Sequence, residues 1–131
     1  MSDLCSVNFS SMNTLLEKVG DLNDMLLQGK ELEALEKFYD IDVEVQKNDQ
    51  SPVKGKERAI MARKDFLSGV SEISCAQPLK VAIGEGTTMV EWHVSYQLAE
   101  GIQKEFTQVA VQEWKDGMII KEKFYFGAAD E

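Results

Sequence analysis

The chain has 131 residues, 44% hydrophobic and 28% charged, with 14 Lys and Arg against 23 Asp and Glu. A net charge of −9 argues against nucleic acid or an anionic membrane as partner, because phosphate binding needs clustered basic side chains. The length suits a single domain over residues 1–131, able to bury roughly two-thirds of its unfolded surface without staples.

The first periodic stretch holds Met12, Leu15, Leu16, Val19, Leu22, Leu26 and Leu27 at helical spacing. Thr14 and Glu17 fit a capping box, although the helix could begin earlier. Gly20 inside it suggests a close packing contact, and Gly29 suits the position just past its end. A shorter helix follows, with Leu32, Leu35, Phe38 and Tyr39 on its apolar side. Ile41, Val43 and Val45 then alternate with Asp42, Glu44 and Gln46, the signature of a strand. Lys47 continues the apolar side of that alternation. Residues 48–54 are polar and contain Pro52, which predicts a loop. Residues 57–70 read as a third helix, with Ile60, Met61, Phe66 and Leu67 apolar. Residues 73–86 read as a strand that Pro78 makes irregular or places at an edge.

Three strands in a row then occupy residues 87–126. On the first, Thr88, Val90, Trp92, Val94, Tyr96 and Leu98 share one face, opposite Met89, Glu91, His93, Ser95 and Gln97. A turn at 99–103 leads to the second. Asp116-Gly117 is a strong hairpin signal and leads to the third. There Ile120, Glu122, Phe124 and Phe126 share a face, and Ile119, Lys121, Lys123 and Tyr125 the other. One carboxylate thus stands in an otherwise apolar row. Residues 127–131 are a polar tail. Helices first and consecutive antiparallel strands afterwards define an α+β layout, with three helices gathered on the concave face of a curved sheet. Such a sheet can leave a cone-shaped pocket, the usual form of a small-molecule site.

Cys5 and Cys75 have no metal spacing and read as free thiols of a reducing compartment. No basic and apolar leader is visible at the start, and no apolar run approaches the roughly 20 residues of a membrane span. A cytoplasmic protein is the expectation.

Taken in order, several pieces resemble the nuclear transport factor 2-like superfamily and, within it, the SnoaL-like proteins. They are Phe38-Tyr39-Asp40-Ile41-Asp42-Val43, Gly55-Lys56-Glu57, Val90-Glu91-Trp92-His93-Val94, Trp114-Lys115-Asp116-Gly117 and Phe124-Tyr125-Phe126. The resemblance implies a cystatin-like cone with a curved mixed sheet, commonly a homodimer through its outer face. It spans isomerases, cyclases, dehydratases, epoxide hydrolases and members of unknown activity, so fold alone does not choose. The ketosteroid isomerase residues would fall at Lys47, near Leu22 and about Ala110, and all three are absent here. With one histidine in the chain, the two-histidine dehydratase pattern is absent as well.

By this register Glu122 faces the pocket, where desolvation would suit it to acid–base work; a purely structural carboxylate is the competing role. Lys47 could face the same space as a base or nucleophile, or extend to solvent. If it meets Glu122, the pair would hold a polar ligand rather than move a proton. Gln108 and Gln112 would orient a ligand without titrating. Tyr39, Trp92, Tyr96 and Phe124 would line the pocket or simply fill the core. Val109 and Val111 then face outward, which suits a dimer interface. His93 reads as a surface or interface residue, and Cys75 as a small buried hydrophobe. No phosphate loop, metal cluster or nucleophile–His–acid triad is visible, so no cofactor is expected. The sequence thus leads to a dimer that binds a small, mostly apolar organic ligand. Any catalysis would be cofactor-free isomerase, cyclase or lyase chemistry. The alternative is an interaction module with a filled cone.

Overall fold

The computed structural model describes residues 2–127, with side chains from Asn13 onward. The side chains of Cys5 and Met12, and the last four residues of the polar tail, lie outside what is described. Three helices, α1 (Ser2–Leu27), α2 (Glu31–Phe38) and α3 (Lys56–Ser68), join six strands. The strands are β1 (Tyr39–Lys47), β2 (Val53–Lys54), β3 (Val70–Gly84), β4 (Thr87–Leu98), β5 (Gln103–Lys115) and β6 (Met118–Tyr125). All six form one sheet in the order β2-β1-β6-β5-β4-β3. β1 and β6 run parallel, and the other neighbours are antiparallel. The sheet is mixed, curved and unclosed, and the helices cover its concave face.

Helix α1 buries Leu15, Val19 and Leu22, a stripe at 3.6-residue spacing. Leu16 and Leu27 were placed with that stripe by sequence, but both stand about half exposed, on its flanks. Thr14 lies inside the helix rather than at its start, so it is not a cap. Gly20 meets no neighbour within 4 Å, so it marks no close contact. Gly29 does end the helix: with φ 77°, it lets its own N–H reach Leu26 O and that of Lys30 reach Met25 O. These paired bonds satisfy two carbonyls that the helix end would otherwise leave open.

Phe38 closes α2 and meets Trp114 edge-on, with ring centroids 5.9 Å apart. Tyr39 belongs to β1 rather than to the helix. Val53 and Lys54, expected in a loop, pair with Val45 and Glu44 as β2. Helix α3 stops at Ser68, earlier than expected, because Gly69 ends it and Val70 pairs with Leu98. Pro78 sits in the edge strand β3, where a residue without an N–H is best tolerated, and the register shifts beside it.

Two register shifts correct the alternation read from sequence. On β6, Trp114 pairs with Ile119 and Glu113 with Lys121, so Ile120 is the extra residue of a bulge. The bulge reverses the parity before it, and Ile119, expected outside, is fully buried. Glu122 lies beyond the bulge and keeps its inward direction. On β1, the register shifts between Tyr39 and Glu44, and Ile41 stands 76% exposed. Of the core, Leu15, Leu22, Leu35, Phe38, Val43, Trp114 and Ile119 form one cluster. Val19, Val90, Trp92 and Ala110 form another.

Candidate ligand-binding cavity

Between helices and sheet lies a cavity of about 700 Å³. A drug-sized ligand fits a cavity of this size. Its wall is mostly apolar: Leu22 and Leu26 of α1, Leu35 and Phe38 of α2, Phe66 of α3, Trp92 and Val94 of β4, and Phe106 of β5. Tyr96 stands edge-on to both Phe66 and Phe106, at 5.4 and 6.0 Å between centroids. Phe126 continues the row against Phe106 at 5.7 Å.

The pairing of three strands places Thr88, Gln112 and Glu122 side by side on the concave face. Their polar groups form a directed chain. Trp114 Nε1 donates to Thr88 Oγ1 over 2.8 Å. Thr88 Oγ1 donates to Gln112 Oε1 over 2.7 Å. Gln112 Nε2 donates to Glu122 Oε2 over 2.8 Å. From β1, the Tyr39 hydroxyl donates to Glu122 Oε1. An indole N–H and an amide nitrogen only donate, and an amide oxygen and an ionised carboxylate only accept, which sets the direction of these bonds. Glu122 therefore ends the chain as a double acceptor.

Burial pushes Glu122 above its ordinary carboxylate value of 4.5, while the hydrogen bonds from Tyr39 and Gln112 pull it back. Burial, and then the Glu122 charge, push the Tyr39 hydroxyl well above its ordinary value of 10.0. Tyr39 thus stays a neutral donor. A second polar pair stands on the helical side of the cavity. Arg63 of α3 donates through Nε and through Nη2, the latter over 2.8 Å, to the two oxygens of Glu31 on α2. Burial opposes the Arg63 charge, but the Glu31 pair more than offsets it, so the guanidinium is held charged. Its carbon lies 4.7 Å from the Phe66 ring centroid.

The residues singled out by sequence divide as follows. Glu122, Gln112, Tyr39 and Trp92 are buried at the cavity's inner end, and the first three bond to one another. Tyr96, Gln108 and Phe124 also line it. Lys47 lines the cavity as well; it is exposed, with its ammonium 5.5 Å from the Phe66 ring centroid. Glu31 and Arg63 are among the charged groups acting on Glu122. Across the parallel strands Val45 pairs with Glu122 and Lys47 with Phe124. His93 stays outside, 3.4 Å from Glu105. Cys75 is half-buried on the cavity wall rather than in the core.

Arg63, Glu31 and Thr88 were not singled out as site residues by sequence. A signal for Arg63 was present: Ala59, Arg63, Phe66 and Leu67 recur at helical spacing and all line the cavity. For Glu31, position i−4 from Leu35 carried the same information.

No protein-family model matches the chain, and no curated protein matches it in sequence. Solved structures match its fold. A protein from Jannaschia sp. CCS1 described as a SnoaL-like polyketide cyclase gives a TM-score of 0.80 at 13% identity, covering 91% of this chain and 89% of that one. An NTF2-like protein of unknown function from Burkholderia pseudomallei gives 0.78 at 13%, covering 88% and 92%. An LEH-like epoxide hydrolase from M. tuberculosis gives 0.74 at 15%, covering 91% and 86%. The chain therefore has the nuclear transport factor 2-like fold, with SnoaL-like proteins among its structural neighbours. At these identities the fold is what is shared.

Proposed function

We propose that the cone binds a small, mostly apolar organic molecule and that Glu122 is the polar group it meets. The observation that carries this reading is a buried carboxylate at the inner end of an apolar cavity of about 700 Å³. A charge removed from water is costly to keep, and two neighbouring side chains, Tyr39 and Gln112, donate hydrogen bonds to this one. In this reading Glu122 is the acid–base group of a cofactor-free isomerase, cyclase or lyase. Lys47, exposed on the cavity wall, keeps a lesser role in contacting ligand as it enters. Structural neighbours that include a protein described as a polyketide cyclase and an epoxide hydrolase support small-molecule chemistry in this fold. A half-buried free thiol at Cys75 is compatible with a cytoplasmic setting.

The same hydrogen bonds favour a second reading, a binding module without catalysis. Both Glu122 oxygens are already engaged, so the carboxylate could orient a ligand and do nothing more. A homodimer through the outer sheet face belongs to either reading. On that face Met89 and Val111 pair directly, as do Glu91 and Val109, with Tyr125 beside Val109.

Native mass spectrometry of the purified protein tests the proposal. A retained small molecule is expected. Protein that carries none, and whose melting temperature is unmoved by a panel of aromatic alcohols, ethers and ketones, would refute it. Once a substrate is found, Glu122→Gln should abolish turnover while circular dichroism stays unchanged. Undiminished turnover leaves the binding module.

A further inference from the structure

The direction of the hydrogen-bond chain specifies what kind of ligand the inner end accepts. Trp114 commits its N–H to Thr88, Thr88 its O–H to Gln112, and Tyr39 its O–H to Glu122. Gln112 commits one N–H to Glu122, and is itself only 2% exposed. These four hydrogens are bonded within the wall. Glu122, which lines the cavity, offers it an acceptor. A carboxylate has about four acceptor positions, so lone pairs remain after the bonds from Tyr39 and Gln112. Other donors also line the cavity. Arg63 gives two N–H groups to Glu31. Gln108 sits opposite Trp92, four residues before Gln112 on β5.

From this arrangement we infer that the ligand is a hydrogen-bond donor, a small aromatic or alicyclic molecule carrying a hydroxyl or N–H that points at Glu122. A ketone or ether would set its own lone pairs against the carboxylate and leave both unsatisfied. A hydroxyl at the same place adds a third donor to a charged acceptor inside a mostly apolar cavity, where such bonds are strong. The inference rests on the binding role proposed above and narrows its ligand class.

The test uses three probes of similar size: 2-naphthol, 2-methoxynaphthalene and 2-acetylnaphthalene. Binding to the full-length protein is measured by calorimetry at neutral pH. The naphthol is expected to bind about ten-fold or more tightly than the ether or the ketone, the factor for one hydrogen bond to a charged group. In Glu122→Gln the preference should shrink severalfold. Acidification that protonates Glu122 in the wild type should shrink it likewise. Equal affinities, or a preference for the ketone, would overturn the donor inference while leaving the cavity a binding site. No binding by any of the three would overturn both. Should Glu122→Gln fail to fold, the wild-type comparison and its pH dependence still decide.

Discussion

Gln112 and Glu122 stand directly opposite each other on β5 and β6, and the Gln112 amide donates to the Glu122 carboxylate over 2.8 Å. Gln112 also accepts from Thr88, so one amide joins a donor chain to a buried charge. An amide is suited to this place because it donates and accepts at once without titrating.

Gln112→Leu is accordingly expected to destabilise the fold. It preserves bulk but leaves the Thr88 hydroxyl without an acceptor and removes one of two donors from Glu122. The expected loss is roughly 2 kcal/mol in urea unfolding, the cost of buried polar groups left unsatisfied. An unchanged midpoint would contradict the network.

Stability should also carry a pH signature of Glu122. Burial raises its folded value above 4.5, so the folded chain holds that proton more tightly than the unfolded chain does. The contribution is fully present below 4.5 and is lost as pH rises through the raised folded value. Relative to Glu122→Gln, the wild type should therefore lose stability from about pH 4.5 upward and then level off. Tyr39→Phe removes a hydrogen bond that lowers the folded value, so its decline should extend to higher pH. Urea unfolding across this range checks both; a wild type that gains stability over the window would contradict the assignment.

For the proposed dimer, Val111→Glu places a charge in the middle of the outer face. Gel filtration with light scattering should find monomers. A dimer that survives the substitution would assign association to another surface.

Much of this architecture was legible in the chain. The alternation through Val90, Trp92, Val94 and Tyr96 reports a strand with one buried face, and Asp116-Gly117 reports its hairpin. Both central residues of that hairpin adopt positive φ, 53° and 79°, the conformation those two residue types tolerate best. Less legible were the places where local pattern and tertiary pairing disagree. Ile119 and Ile120 are equally apolar, so nothing in their chemistry reveals which one bulges. Pairing of Trp114 with Ile119 decides it, and that pairing is set by the core around Phe38.

The candidate site was partly readable for the same reason. Glu122 was recognisable as a lone carboxylate among apolar neighbours, and strand parity turned it inward correctly. Lys47 shares the parity of Val45 and lines the cavity with it, its long side chain exposed to water. The Tyr39–Glu122 bond joins residues 83 positions apart, across the parallel β1–β6 pair. No local pattern encodes a contact of that range; only the sheet order creates it.

The central claim is that Glu122 is a buried ionisable group in contact with the ligand space. Carbon-13 NMR of its side-chain carboxyl, titrated with pH in the presence and absence of 2-naphthol, tests this most directly. The account predicts a midpoint above 4.5 and a carboxyl resonance that moves on addition of the naphthol. A midpoint at or below 4.5, with a resonance indifferent to the probe, would contradict it.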